Sequence, residues 1–208
     1  MKIGKQEVEL LNCLSYEDML KNIEISGRTC YQSKSEFTKE SGEKFVKKLI
    51  KLGHESVLEH GSLTFKIKTN RNITHELVRH RLASYSQEST RYVKYDDIEF
   101  IPWIDPRGLK VNYFNNLDDL YKDIEFVYKK LIEDNFKPEE ARDILPGSVA
   151  TTIIVTMNMR ELRHFLKLRL SKAAHPQIRE LAGMIQDIVR ENYPVFIDEQ
   201  LPKDNSKY

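Results

Sequence analysis

Cysteine is scarce in this chain. Cys13 and Cys30 are the only two among 208 residues and share no CxxC spacing, so neither zinc nor any other metal is implied and no disulfide framework is expected. The start, Met1-Lys2-Ile3-Gly4-Lys5-Gln6-Glu7, turns polar and acidic where a secretion signal needs an apolar stretch, and no later run is long and apolar enough to cross a bilayer. The expected location is the cytoplasm, with no membrane partner. An excess of one charge is also missing, since 33 Lys plus Arg stand against 32 Asp plus Glu. A protein that tracks a polyanion needs a long-range positive field, so nucleic acid is not the expected partner. There is no internal repeat and no low-complexity linker.

What is present suits a globular fold: 40% hydrophobic and 31% charged residues, in a length that supports one buried core. One domain over 1–208 is expected, with a tail frayed from about 202. Val8 to Leu14 reads as a strand. Ser15 then caps a helix expected to run to about Ser26, and Gly27 to Phe37 reads as an ordered loop. Phe45, Leu49, Ile50 and Leu52 mark a helix ending near Gly53. Ser62 to Thr69 alternates Leu63, Phe65 and Ile67 with Thr64, Lys66 and Lys68, the period of a strand.

Asn70 or Asn72 can cap the next helix, which carries Ile73, Leu77 and Val78 and delivers Arg79-His80-Arg81 at or near its carboxyl end. The segment Ser84 to Arg91 is polar and turn-rich, with Tyr92 to Tyr95 returning to a strand. Leu117 to Ile132 is an amphipathic helix. Pro138 opens a short helix through Arg142 that Leu145-Pro146-Gly147 terminates. Val149 to Thr156 is β-branched, which fits a strand or a buried helix. Asn158-Met159-Arg160-Glu161 has capping-box spacing and opens a helix through Leu168, and Pro176 opens the last helix, through Val189.

Cationic side chains cluster locally. Arg79, His80, Arg81 and Arg91 form one group; Arg160, Arg163, His164, Lys167, Arg169, Lys172 and His175 form another. Guanidinium forks, hydroxyls and turn amides together satisfy the oxygens of a small anion. The ordinary role of an isolated Arg-His-Arg is to meet the last carbonyls of a helix. Arg142 three residues after Glu139 has the spacing of a surface ion pair, His164 and Arg169 have that of a solvated helix face, and Asn158 that of a cap.

Order along the chain favours a site over these separate roles. Arg79-His80-Arg81, then seven residues, then Ser89-Thr90-Arg91 resembles the signature of the flavin-dependent thymidylate synthases. Gly53-His54-Glu55-Ser56 is similar to that family's Gly-His-x-Ser/Thr segment, and Arg28-Thr29-Cys30, Ala141-Arg142 with Leu145-Pro146, Asn158-x-Arg160, His164-Phe165, Leu168-Arg169 and His175 follow in order. The resemblance covers Gly27 to Gln177. Gln87 stands where some members have Glu, and Glu76 where some have Gln; each still offers a hydrogen-bond acceptor.

The resemblance implies an α+β fold, a central mostly antiparallel sheet flanked by long helices, in a homotetramer whose sites draw on more than one subunit. It implies reductive methylation of dUMP to dTMP, with methylenetetrahydrofolate as carbon donor and FAD, reduced by NADPH, as hydride donor. It puts the nucleotide phosphate against Gln87, Ser89, Arg91 and Arg142 with Glu76 nearby, and Arg169 against the uracil as the catalytic cation. Flavin contacts fall to Cys30, His54, Ser56, Arg79, His80, Arg81, Asn158 and His164. Two other readings remain: a nucleic-acid module stacking bases on Tyr85, Tyr92 and Tyr95, and an oligomeric scaffold built on the Leu117 to Ile132 helix. Both predict a colourless protein.

Overall fold

A computed structural model of the chain describes residues 1–11, 14–30, 32–34, 36–104 and 117–202. Cys13 and all of the expected frayed tail beyond Pro202 lie outside the described residues. The order is β1 (Lys2–Ile3), β2 (Glu7–Leu10), α1 (Tyr16–Thr29), α2 (Lys39–Leu52), a 3-10 segment Glu55–His60, β3 (Ser62–Asn70) and α3 (Arg71–Leu77). Then come β4 (Ala83–Gln87), β5 (Glu99–Phe100), α4 (Leu117–Glu133), α5 (Pro138–Ala141) and a 3-10 turn Arg142–Ile144. The chain continues with β6 (Ala150–Asn158), α6 (Met159–Arg169), α7 (Pro176–Asn192) and a 3-10 turn Pro194–Phe196.

Four strands form an antiparallel sheet in the order β2-β3-β6-β4. The register shows the antiparallel sense directly. Lys68 meets Glu7 at 3.3 Å and Lys66 meets Glu9 at 3.6 Å, so partners on β2 rise as those on β3 fall. Between β3 and β6, Thr64 Oγ1 lies 2.9 Å from Thr156 Oγ1, and Arg71 N–H donates to the Val149 carbonyl at 3.3 Å. β6 buries every second residue, Thr151, Ile153, Val155 and Met157, which settles the Val149 to Thr156 ambiguity in favour of a strand.

The chain divides into two compact units whose boundaries fall within strands β2, β3, β4 and β6 and within helix α3. The first comprises Met1–Glu7, Ile67–Glu76 and Ser86–Ile153; the second comprises Val8–Lys66, Leu77–Tyr85 and Ile154–Tyr208. In the first, β1 and β5 pair in parallel, Lys2 with Glu99 and Ile3 with Phe100, and the core gathers Ile98, Phe100, Tyr121, Tyr128, Ala141 and Val149. The ring of Phe100 stacks on Tyr121 at 4.4 Å. The buried residues of α4 are Tyr121, Glu125 and Tyr128, whereas Val127 is exposed. Glu125 is tolerated there because its carboxylate pairs with the Met1 ammonium at 2.5 Å and with Lys129 at 3.2 Å, and accepts from the Ile98 N–H at 3.1 Å.

In the second unit α1 and α2 pack together. Residues 27–29, expected in a loop, continue α1 instead. Gly27 permits this: a Cβ there would lie 2.7 Å from the Phe45 ring of α2, so only glycine allows the close approach. Arg28 returns to the buried Glu24 at 2.6 Å and lies over the Phe45 ring, 5.0 Å from its centroid. Thr38 and Ser41 cap α2 reciprocally, and Gly53 ends it at φ 70°, the left-handed conformation glycine adopts without strain.

Candidate functional site

Local folding explains where the Arg-His-Arg triplet falls. Asn70 accepts from the Ile73 N–H at 2.9 Å, which identifies it as the cap of α3, and the helix ends at Leu77. His80 N–H then bonds the Leu77 carbonyl at 3.1 Å, turning the chain toward β4. The segment expected to be turn-rich is a strand from Ala83 to Gln87, and Tyr92 to Tyr95 is not one. Strand β4 alternates exposed Ser84 and Ser86 with half-buried Tyr85 and Gln87, a polar pattern of period two that composition alone disguised as a loop.

Within the triplet the histidine turns inward and both arginines face solvent. His80 is 4% exposed, while Arg79 and Arg81 are exposed. Three side chains of α6 meet the imidazole. Glu161 Oε1 lies 2.9 Å from Nδ1, Arg169 donates its Nε–H to Nε2 at 3.1 Å, and the Phe165 ring stands edge-on at 5.0 Å. His164, exposed, has its ring 5.8 Å away. Tyr85 holds the backbone below: its hydroxyl lies 2.7 Å from the His80 carbonyl and 2.9 Å from that of Leu77.

Arginine can only donate, so Nε2 is an acceptor and the ring proton sits on Nδ1, donated to Glu161. Burial holds the His80 pKa below its ordinary value; the Glu161 hydrogen bond opposes this and the Arg169 charge reinforces it. Burial, with the Glu161 charge, pushes the Tyr85 hydroxyl up to about 12.

A cavity of about 380 Å³ in the same unit brings together three other expected residues, Cys30, His54 and Ser56, with Gly53, Val57 and Arg160. The Cys30 thiol donates to the Ser26 carbonyl at 3.7 Å. Arg160, quoted in a motif but assigned no role, pairs with Glu59 at 2.6 Å beside this cavity. Asn158 accepts from the Glu161 N–H at 2.9 Å and caps α6. The capping-box expectation is met on that side only, because the Glu161 carboxylate turns to His80.

The remaining expected residues lie in the first unit. Gln87 donates to Thr74 at 3.1 Å and to Thr151 at 3.3 Å, and Glu76 is half-buried on α3. Ser89 Oγ accepts from the Arg91 N–H at 3.2 Å. Arg91 pairs through its side chain with Glu139 at 2.7 Å, and Arg142 reaches Thr90 at 3.5 Å. The partner of Glu139 is thus Arg91, from a distant loop. Sequence reasoning gave Glu161 only a capping place and Tyr85 only a base-stacking alternative, and missed their contacts with the His80 turn. Each carries a signal only in retrospect: an acid three residues into a helix, and a tyrosine at the inward phase of a polar strand.

A four-strand antiparallel sheet with helices, and an Arg-His-Arg turn whose histidine meets Glu161 and Arg169 of α6, define a mixed helix-and-sheet protein. The chain belongs to the family described as thymidylate synthase complementing protein, whose pattern matches residues 12–195. A relative from Geobacter sulfurreducens named flavin-dependent thymidylate synthase is 35% identical over 189 residues, 86% of this chain and 81% of its own length. Relatives of the same name from Sulfurisphaera tokodaii and Pyrococcus furiosus are 36% and 39% identical over 193 and 155 residues, covering 82% and 72% of this chain. The chain spans 75% of the Sulfurisphaera protein and a little under two thirds, 64%, of the Pyrococcus one.

Proposed function

We propose that this chain is a thymidylate synthase that methylates dUMP reductively to dTMP, taking carbon from methylenetetrahydrofolate and hydride from FAD that NADPH has reduced. The observation that carries the reading is the docking of half-buried Arg169 on buried His80, which joins the two most diagnostic segments of the sequence through one hydrogen bond. The donor set also fits a flavin. The cavity lined by Cys30, His54 and Ser56 falls in the size range of small-molecule sites, and the exposed guanidiniums of Arg79 and Arg81 suit a diphosphate. His80, Asn158 and His164 complete the proposed set. When bound, reduced flavin supplies hydride.

The protein's own part is to bind, orient and stabilise charge. Gln87, Ser89, Arg91 and Arg142, with Glu76, hold the nucleotide phosphate. Arg169 faces the pyrimidine and offsets negative charge that builds on the ring as C5 takes up the one-carbon unit. Its Nε is committed to His80, so it meets the ring through Nη1 and Nη2. Cys30 is assigned no nucleophilic role, since its thiol proton is directed at a carbonyl. The chain works as one domain of a cytoplasmic homotetramer, with sites at subunit interfaces.

The test is direct. Purified protein should be yellow and release FAD on denaturation. With the flavin reduced by NADPH, reoxidation without oxygen should require both dUMP and methylenetetrahydrofolate and yield thymidylate. Reoxidation indifferent to dUMP, or no thymidylate, rejects the proposal.

A further inference from the structure

Among the described residues Glu161 is the acid in contact with the His80 ring, and it is 6% exposed. A carboxylate in so dry a setting needs a partner to compensate its lost hydration, and the Nδ1–H of His80 is that partner. The groups facing the imidazole are Glu161, His164, Phe165 and Arg169 of α6, with the Tyr85 hydroxyl on the backbone carbonyl. Neutral imidazole has two tautomers, and only one leaves Nε2 able to accept from Arg169. In the other, Nε2–H would confront the Arg169 Nε–H, two donors with little water to separate them.

We infer that Glu161 is a positioning residue: by accepting the Nδ1 proton it holds His80 in the tautomer that keeps Arg169 docked, and so aims the terminal nitrogens of Arg169. The chain of command runs from carboxylate to imidazole to guanidinium, the arrangement by which an outer acid orients a histidine elsewhere in protein chemistry. The inference rests on the proposed role of Arg169 at the pyrimidine. The tautomer itself does not depend on that role.

The test uses the FAD-loaded protein with 15N-labelled histidine, the His80 signals being assigned by their loss in His80→Gln. Wild type should show a protonated Nδ1 and an unprotonated Nε2. In Glu161→Met the proton should move to Nε2 or divide between the two nitrogens. Thymidylate kcat should fall by up to about a hundredfold, the scale of a misplaced reacting group, with FAD content per chain retained. Glu161→Gln, whose side-chain oxygen still accepts from Nδ1–H, should recover most of that loss. Its acid limb of kcat should move to lower pH, because the charge that favours protonated His80 is gone. An unmoved tautomer together with unchanged kcat in Glu161→Met overturns the inference. Should that variant not fold, an acid limb that stays in place in Glu161→Gln overturns it equally. If wild type makes no thymidylate yet the tautomer responds to Glu161→Met, the proposed function falls and the control of His80 by Glu161 stands.

Discussion

Arg169 and His80, 89 positions apart, share a hydrogen bond of 3.1 Å in which a guanidinium donates to a buried imidazole. Truncating the arginine removes both a positive charge and the donor that Nε2 uses. Arg169→Ala should therefore slow thymidylate formation by on the order of a hundredfold or more, equivalent to about 3 kcal/mol of lost charge stabilisation. FAD content should stay near that of wild type. Steady-state turnover beside absorbance of the bound flavin checks this, and equal turnover by variant and parent rejects the catalytic role.

Titration of His80 ties stability to pH. Its folded pKa lies below the ordinary 6.5, with burial as the leading cause. Well above that value both folded and unfolded chains carry a neutral ring and the group contributes nothing to the difference. As pH falls below it the unfolded chain takes up a proton that the folded one resists, so stability declines toward acid. Urea midpoints measured from about pH 8 to about pH 5.5 should fall, and the fall should be shallower in His80→Gln. Parallel slopes for the two proteins would remove His80 from the account.

Tyr85 secures the turn from beneath by offering one hydroxyl to the carbonyls of Leu77 and His80. Tyr85→Phe keeps the ring and loses that donor, at a cost of about 1 kcal/mol or somewhat more because the carbonyls are shielded. Chemical denaturation measures the loss. A variant as stable as wild type would mean that water replaces the hydroxyl at no cost.

Nucleotide binding is predicted to separate from flavin binding. Ser89→Ala and Arg142→Gln should each raise the dUMP Kd in isothermal titration, the arginine change more because a charge-assisted bond is the stronger kind. FAD retention should not change in either. Full nucleotide affinity in Ser89→Ala would show that Ser89 serves only the Arg91 N–H, which it already accepts.

Much of this architecture was legible beforehand because it rests on local rules. Asn158 capping α6, Pro176 opening α7, Gly53 closing α2 and the alternation along β3 all follow from residues within a turn or two of one another. Expectations failed where a distant neighbour decided. Gly27 stays helical because Phe45 lies against it, and the serine-rich stretch before Gln87 is extended because β6 pairs with it. The same holds for the site. Arg-His-Arg could be read from order in the chain, but that its histidine alone turns inward, onto an acid 81 positions away, depends on packing that no local pattern encodes.

The wall holding Cys30 has a practical side. This thiol is exposed, and it lines the same cavity as His54 and Ser56. In a Cys13→Ser background it becomes a natural reporter: whatever enters the cavity shields the sulfur, so the rate at which a small alkylating reagent modifies it measures occupancy. Protection by free FAD, or by its fragments one at a time, would map which part of the molecule settles there.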